Sequence, residues 1–404
     1  MDLGHELRTL TLTERVASCC RLSRAEVAFL QRGHRAHLDL APTARTGHYR
    51  ITPTGHVGTI LAPEMRVVIR PKIPLENLFH LLDPNAPVPA FEDKTATVPG
   101  AEAFNFLARR LAELLAERVS AGLHRDYAER VAQGPYLQGR LDLPAQLRER
   151  RGRKDLLHCR YEDFTADVPC NQVVKATAEW VLRSPLLGEG VAAALRRTLP
   201  ALAAVSPAQL GPDCFADALP DRRSAAYRPV LALCRLLFEG LNADRAAGPV
   251  PCPAFLLNME EVFEGYVSQG VRQSFKADER CAVSFQPPYL IGQPVAGQPD
   301  LRVRPDIVVE RAGKPVLVVD AKWKSLAEAL VPADVYQVLA YCTALGARRG
   351  VLVYPGRRTR RWTYRLTAAS LEVHTVRVTG APPACRRSLD RFGRHVHSSA
   401  SPSR

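Results

Sequence analysis

Two short apolar runs joined by a turn constrain this chain more than any other feature. Residues 304–309 read RPDIVV, residues 310–314 read ERAGK, and residues 316–324 read VLVVDAKWK. Both runs are rich in β-branched residues, and the Gly and polar residues between them suit a hairpin, so an antiparallel strand pair is expected. With the turn centred near Ala312 and Gly313, Asp306 falls opposite residues 319–320 on the neighbouring strand. Side chains in a strand repeat every second residue, so Asp320 and Lys322 share a face. The apolar run from Val316 to Val319 leads straight into Asp320, which places the charges at the end of a strand expected to be buried on both faces.

Carboxylates held side by side repel unless a cation lies between them. Hard oxygen donors with few partners suit Mg²⁺, which keeps waters and borrows ligands from a substrate phosphate. Metal-dependent phosphodiester cleavage is therefore the expected chemistry, with Lys322 orienting the attacking water or neutralising developing negative charge. The competing reading is an ordinary hairpin carrying a cross-strand ion pair. Against it stands the cation usage: eight of the 55 basic residues are lysines, leaving 47 arginines. In such a chain Lys322 and Lys324 look selected, because a compact ammonium is not replaced by a planar guanidinium.

The flanking sequence extends the pattern. Pro332 and Asp334 open an expected helix in which Gln337 and Tyr341 lie four apart on one face, and a strand at 350–355 (GVLVYP) follows. Upstream, residues 258–267 read as a helix with Met259, Val262, Phe263, Tyr266 and Val267 as its apolar stripe and Glu260 and Glu264 on its polar side. Glu264 reads equally as solvated surface, and Gln337 with Tyr341 as a packed, hydrogen-bonded face.

The P-D, D-A-K and Q-x-x-x-Y elements together resemble the PD-(D/E)XK nuclease superfamily, in the branch whose helix carries Q-x-x-x-Y. The wider chain resembles McrC, the nuclease subunit of modification-dependent McrBC restriction systems. The matching pieces are 57–60 (VGTI), 69–73 (IRPKI), 139–142 (GRLD), 159–167 (CRYEDFTAD), 171–175 (NQVVK) and 262–264 (VFE). The resemblance implies that Asp306 and Asp320 are metal ligands with Glu264 in support, that Lys322 is the catalytic lysine, and that Gln337 and Tyr341 flank the site. It further implies Mg²⁺ as cofactor and docking on a ring-shaped AAA+ GTPase of the McrB kind, which binds the GTP and selects methylated double-stranded DNA. Two alternatives remain at this stage: a non-cleaving adaptor that only stimulates the GTPase, and a stand-alone Mg²⁺-dependent DNA repair nuclease.

Punctuation and periodicity divide the rest. Residues 1–100 alternate in short pieces between glycines and prolines and are expected to form a β-rich, partner-binding domain. Residues 101–250 read as helical, starting with an amphipathic helix over 102–130 and including a basic β-hairpin near 136–161. The tip of that hairpin, 148–154 (RERRGRK), suits a solvated loop, a DNA contact or a finger inserted into a partner. A proline-rich boundary at 249–253 precedes the nuclease core at 251–378, and the Ser-, Arg- and Pro-rich residues 379–404 are expected to be a disordered basic tail. The fold class is thus multidomain α/β and α+β, ending in a restriction-endonuclease-like α/β core.

A net charge of +14 and pI near 9.6 suit a polyanionic partner. The sequence contains no GxxxxGK[ST] phosphate loop, so any GTP chemistry falls to a partner. Ten cysteines include no CxxC pair, which favours reduced core thiols. With no signal-peptide pattern at the start and no apolar run of membrane-spanning length, the expected location is the cytoplasm.

Overall fold

The computed structural model describes residues 8–83, 100–148, 156–218, 224–242, 254–292, 300–326, 330–366 and 369–400. They gather into two compact units, one built from residues 1–93 with 256–404 and the other from residues 94–255. The architecture is mixed α/β, with several sheets and interleaved helices. No helix among the described residues is long and apolar enough to cross a membrane.

The first unit is organised by a six-stranded sheet in the order Cys281–Phe285, Ile307–Arg311, Lys314–Ala321, Arg349–Gly356, Ser370–Arg377, Arg360–Arg365. Pairing is antiparallel at the margins and parallel across Lys314–Ala321, Arg349–Gly356 and Ser370–Arg377. Adjacent parallel strands need a crossover, and helix Pro332–Leu345 supplies the first of them. Its first residue is Pro332, and it stops at Gly346 in the left-handed region at φ +67°. Val338, Tyr341 and Cys342 pack from this helix onto Val318, Leu352, Leu371 and Val373. Alternate strand residues therefore face helix Pro332–Leu345. The opposite face receives helices Met259–Phe275 and Pro382–Ala400, which also pack on each other.

Helix Pro382–Ala400 overturns the expectation of a disordered tail from residue 379. It buries Cys385, Ser388, Leu389, Phe392, Gly393, Val396, Ser399 and Ala400, a continuous stripe at helical spacing. Low apolar content obscured that period, because five of these eight residues are Gly, Ser, Ala or Cys. The small residues have a purpose: a Cβ on Gly393 would lie 2.4 Å from the Gly270 carbonyl oxygen, so only glycine permits this approach between the helices.

The N-terminal segment is β-rich, as its punctuation implies, but it does not stand apart as a domain. Its strands Arg8–Thr13, Met65–Arg70 and His56–Leu61 form one sheet with Ala254–Asn258, and Ser18–Arg21, His48–Pro53 and Leu38–Pro42 form another. It is tied to the C-terminal segment through polar contacts of buried side chains. Trp323 Nε1 donates to Glu14 Oε2 at 3.1 Å, and Asn77 Nδ2 donates to the Gly380 carbonyl at 2.8 Å. Pairings separated by some 300 positions leave no local trace in a sequence.

The second unit is mainly helical, through Glu102–Ser120, Pro169–Leu182, Glu189–Thr198 and Arg228–Asn242. The helix expected to reach residue 130 ends at Ser120, where Gly122 turns the chain at φ +86°. Asp126–Gly134 is instead a strand, paired along its whole length with Leu157–Thr165. Of the expected 136–161 hairpin only Arg140–Leu141 pairs with that strand, and Leu143–Arg148 is a short helix. The rest of the basic tip, residues 149–154, lies outside the described residues.

Candidate active site

The hairpin forms at the expected place. Ala312 and Gly313 both adopt positive φ, +49° and +71°, and bring Arg311 opposite Lys314. The register shifts once, between Val309 and Glu310, and then pairs Ile307 with Val319. Asp306, one residue earlier, thus comes beside Asp320, one residue later. Asp306 Oδ2 accepts the Ala321 backbone N–H at 2.7 Å across the two strands.

Asp320 is 1% exposed, and Lys322 Nζ lies 2.7 Å from its Oδ2 oxygen. That approach is close enough for ion pairing, yet the oxygen has no partner of proper hydrogen-bond geometry. We read the contact as a charge pair that leaves a lone pair of Oδ2 uncommitted. Burial pushes the Asp306 carboxyl up to about 8, with repulsion from Asp320 and Glu264 adding to it. Burial also raises Asp320, against the stabilising pull of Lys322. The ammonium of Lys322 is held above its ordinary value: burial opposes this, and Asp320 and Asp306 overcome it.

Glu264, whose sequence reading was divided between surface and site, approaches the pair. Its carboxyl is raised by burial and by neighbouring Glu261 and Asp320, and Gln286 Nε2 donates to its Oε1 at 2.6 Å. Gln286 itself has φ +47°, rare for a residue with a Cβ, and donates its backbone N–H to the Asp306 carbonyl at 2.8 Å. No sequence signal singled it out.

Gln337 and Tyr341 meet one another, Nε2 donating to Oη at 2.7 Å. Tyr341 is buried, and its hydroxyl lies within the field of Asp320, Lys322 and Asp306. A second layer escaped the sequence reading. Asp334, read there only as part of a helix start, is buried and accepts Lys324 Nζ at 2.7 Å and Tyr354 Oη at 2.6 Å. Lys322 and Lys324 thus each face an acid, while Trp323 between them turns to Glu14.

Three carboxylates with raised proton affinity, one carrying an uncommitted buried oxygen, make a donor set that fits a small divalent cation. A bound cation would offset the desolvation and repulsion that now favour protonation. Glu372, His374 and His395, on the opposite face of the sheet, also bring three potential ligand atoms together. Their chemistry differs. Both imidazoles hydrogen-bond Glu372 Oε2 through Nε2, and Arg361 Nη1 faces Nδ1 of His395 at 3.1 Å. An imidazole ligating through Nε2 would carry its proton on Nδ1, where a guanidinium also donates, so this cluster is a satisfied hydrogen-bond network.

Residues 51–355 match the family described as McrBC 5-methylcytosine restriction system component. Among solved structures, the chain is similar to one titled the refined half-complex from a tetradecameric assembly of Thermococcus gammatolerans McrB AAA+ hexamers with bound McrC. That match has 17% identity and a TM-score of 0.50, covering 95% of this chain and 100% of that one. It is also similar to the cryo-EM structure of the Thermococcus gammatolerans McrBC complex, at 17% identity and a TM-score of 0.43, covering 66% of this chain and 88% of that one. The first likeness speaks to fold, and the second is too remote to add to it. No curated protein matches.

Proposed function

This chain belongs to the McrBC family of 5-methylcytosine restriction system components, and from that premise we propose that it is the metal-dependent DNA endonuclease subunit of such a system. The observation that carries the reading is the hairpin pair Asp306 and Asp320, half-buried and buried respectively and side by side on neighbouring strands, with Lys322 against Asp320 Oδ2. Such a pair is costly for stability, which favours a functional reason for its presence.

In this reading Asp306 and Asp320 hold Mg²⁺, with Glu264 as a supporting acid. The ion, when bound, polarises the scissile phosphate and lowers the pKa of water. Lys322 keeps its proton because two carboxylates face it, so its Nζ presents a fixed positive charge and three donors to an attacking water or to the phosphoryl oxygens. Gln286 holds Glu264, and Asp334 holds Lys324, which limits how far the acids move. Gln337 and Tyr341 border the site and orient one another, giving the substrate strand a polar edge.

We assign GTP chemistry to a separate AAA+ partner, on two supports. The chain has no phosphate loop, and the solved assembly of similar fold joins McrB AAA+ hexamers to bound McrC. The unit of residues 94–255 also presents apolar side chains suited to a protein contact. Tyr127 and Phe164 are exposed on adjacent strands with ring centroids 5.2 Å apart, and Tyr136, Leu143 and Leu147 are exposed nearby in sequence. The test is reconstitution with the AAA+ GTPase, GTP, Mg²⁺ and methylated plasmid. Cleavage by wild type that is lost in Asp320→Ala is expected; intact plasmid with wild type, or undiminished cutting by Asp320→Ala, contradicts the reading.

A further inference from the structure

The edge strand Arg360–Arg365 is exposed along its length, and only alternate members of it face a cavity of about 860 Å³. Arg360, Trp362 and Tyr364 line that cavity, together with Thr375 and Val373, the cross-strand partners of Arg360 and Trp362. Six cations line it, Arg15, Lys72, Lys324, Arg357, Arg358 and Arg360, and among the described residues no carboxylate does. Arg15 is engaged by Glu260 and Lys324 by Asp334. Among the described residues, the side chains of Lys72, Arg357, Arg358 and Arg360 have no carboxylate partner.

The register places this cavity relative to the hairpin. Asp320 pairs with Leu352, Leu352 with Val373, and Val373 with Trp362, so one cross-strand row runs from the carboxylate to the indole. Three strand spacings make that row about 14 Å long. Lys324, two residues beyond Lys322, lines the cavity, so the segment that carries the lysine of the site also reaches the groove.

Charges on an edge strand often serve only to block pairing with another strand, and arginines alone would do that. Exposed aromatics would defeat it, yet Trp362 and Tyr364 are 37% and 41% exposed. Cations that neutralise phosphates, interleaved with flat rings that stack on bases, are the two elements of a single-strand nucleic-acid groove. Duplex bases have their faces covered, so stacking selects an unpaired stretch.

We propose that this groove binds a short unpaired segment of the nucleic-acid strand leading to the Asp306 and Asp320 site, with phosphates on Arg357, Arg358 and Arg360 and a base on Trp362. The inference rests on the nuclease reading for its choice of ligand, but binding in EDTA reports on it without cleavage. The assay titrates full-length protein with a labelled single-stranded oligonucleotide across a salt series. Arg357→Ala/Arg358→Ala/Arg360→Ala is expected to weaken binding about 100-fold at 0.1 M salt, from ~0.7 of salt slope per lost phosphate contact. All three arginines are exposed, so the fold is not at risk. Trp362→Ala is expected to weaken binding roughly tenfold and to abolish the ligand-induced quench of tryptophan emission, and Trp362→Phe to retain affinity.

The control Arg196→Ala/Arg197→Ala/Arg235→Ala alters exposed arginines of the other unit. Equal loss in that control, an unchanged salt slope in the groove variant, a quench that survives Trp362→Ala, or tighter binding of duplex than of single strand each overturns the proposal. Wild type that binds in this way and fails to cut DNA with its partner would sink the nuclease reading while leaving the groove standing.

Discussion

Asp306→Asn is expected to stabilise the metal-free protein at pH 8 while removing its response to Mg²⁺. A carboxyl whose folded pKa is raised carries no penalty below its unfolded value. The penalty grows as pH climbs above that value and levels off beyond the folded pKa. For Asp306 the window runs from 3.8 to about 8. At 1.36 kcal/mol per unit this bounds the effect at about 5 to 6 kcal/mol. Asp306 shares its shift with Asp320, and local relaxation absorbs part of it, so we expect about 3 kcal/mol. Asparagine keeps an oxygen able to accept the Ala321 N–H, so the gain is not cancelled by a lost hydrogen bond. In a unit of this size that corresponds to a rise of roughly 6 to 12 °C in Tm. The assay is thermal unfolding in EDTA at pH 4 and pH 8, then at pH 8 with Mg²⁺. Wild type should gain Tm with Mg²⁺ by mass action, and the variant should not. Equal effects of the substitution at pH 4 and pH 8, or a Tm lowered at pH 8, would refute the raised-carboxyl account.

Other expectations address single contacts. Lys322→Met should lower cleavage by about 100- to 1000-fold, and Lys322→Arg should fail to restore it, because a planar guanidinium does not occupy the position of an ammonium. Trp323→Phe removes the donor to the buried Glu14 Oε2 and should cost roughly 1 to 3 kcal/mol, read as a lower Tm. Gly393→Ala forces helix Pro382–Ala400 away from Gly270 and should cost roughly 1 to 3 kcal/mol, whereas a dispensable tail would show no change.

What the sequence revealed follows from the range of the forces involved. The hairpin was legible because its turn and its continuous apolar run, buried at Leu317, Val318 and Val319, are local properties of one short stretch. The apolar stripe of helix Met259–Phe275 was legible by the same logic, and the structure buries all five of the residues named for it. Glu264 was ambiguous because helical spacing gives direction and not surroundings; its partner Gln286 arrives from another strand connection. Glu14 reaches Trp323 across 309 positions, beyond any local pattern. Gly122, which ends helix Glu102–Ser120, lies inside the stretch read as helical through residue 130. The final helix did carry its signal, since Cys385, Leu389, Phe392 and Val396 keep helical spacing, but a composition rich in Ser and Arg outweighed it in the reading.

The central claim is that the hairpin carboxylates cut DNA and leave the partner's nucleotide chemistry alone. It is tested most directly by Asp306→Asn/Asp320→Asn in the complex reconstituted with its AAA+ GTPase, with GTP turnover and cleavage of methylated plasmid followed in the same tube. The account predicts GTP hydrolysis stimulated as by wild type and plasmid left intact. Cleavage that persists in the double variant would contradict it.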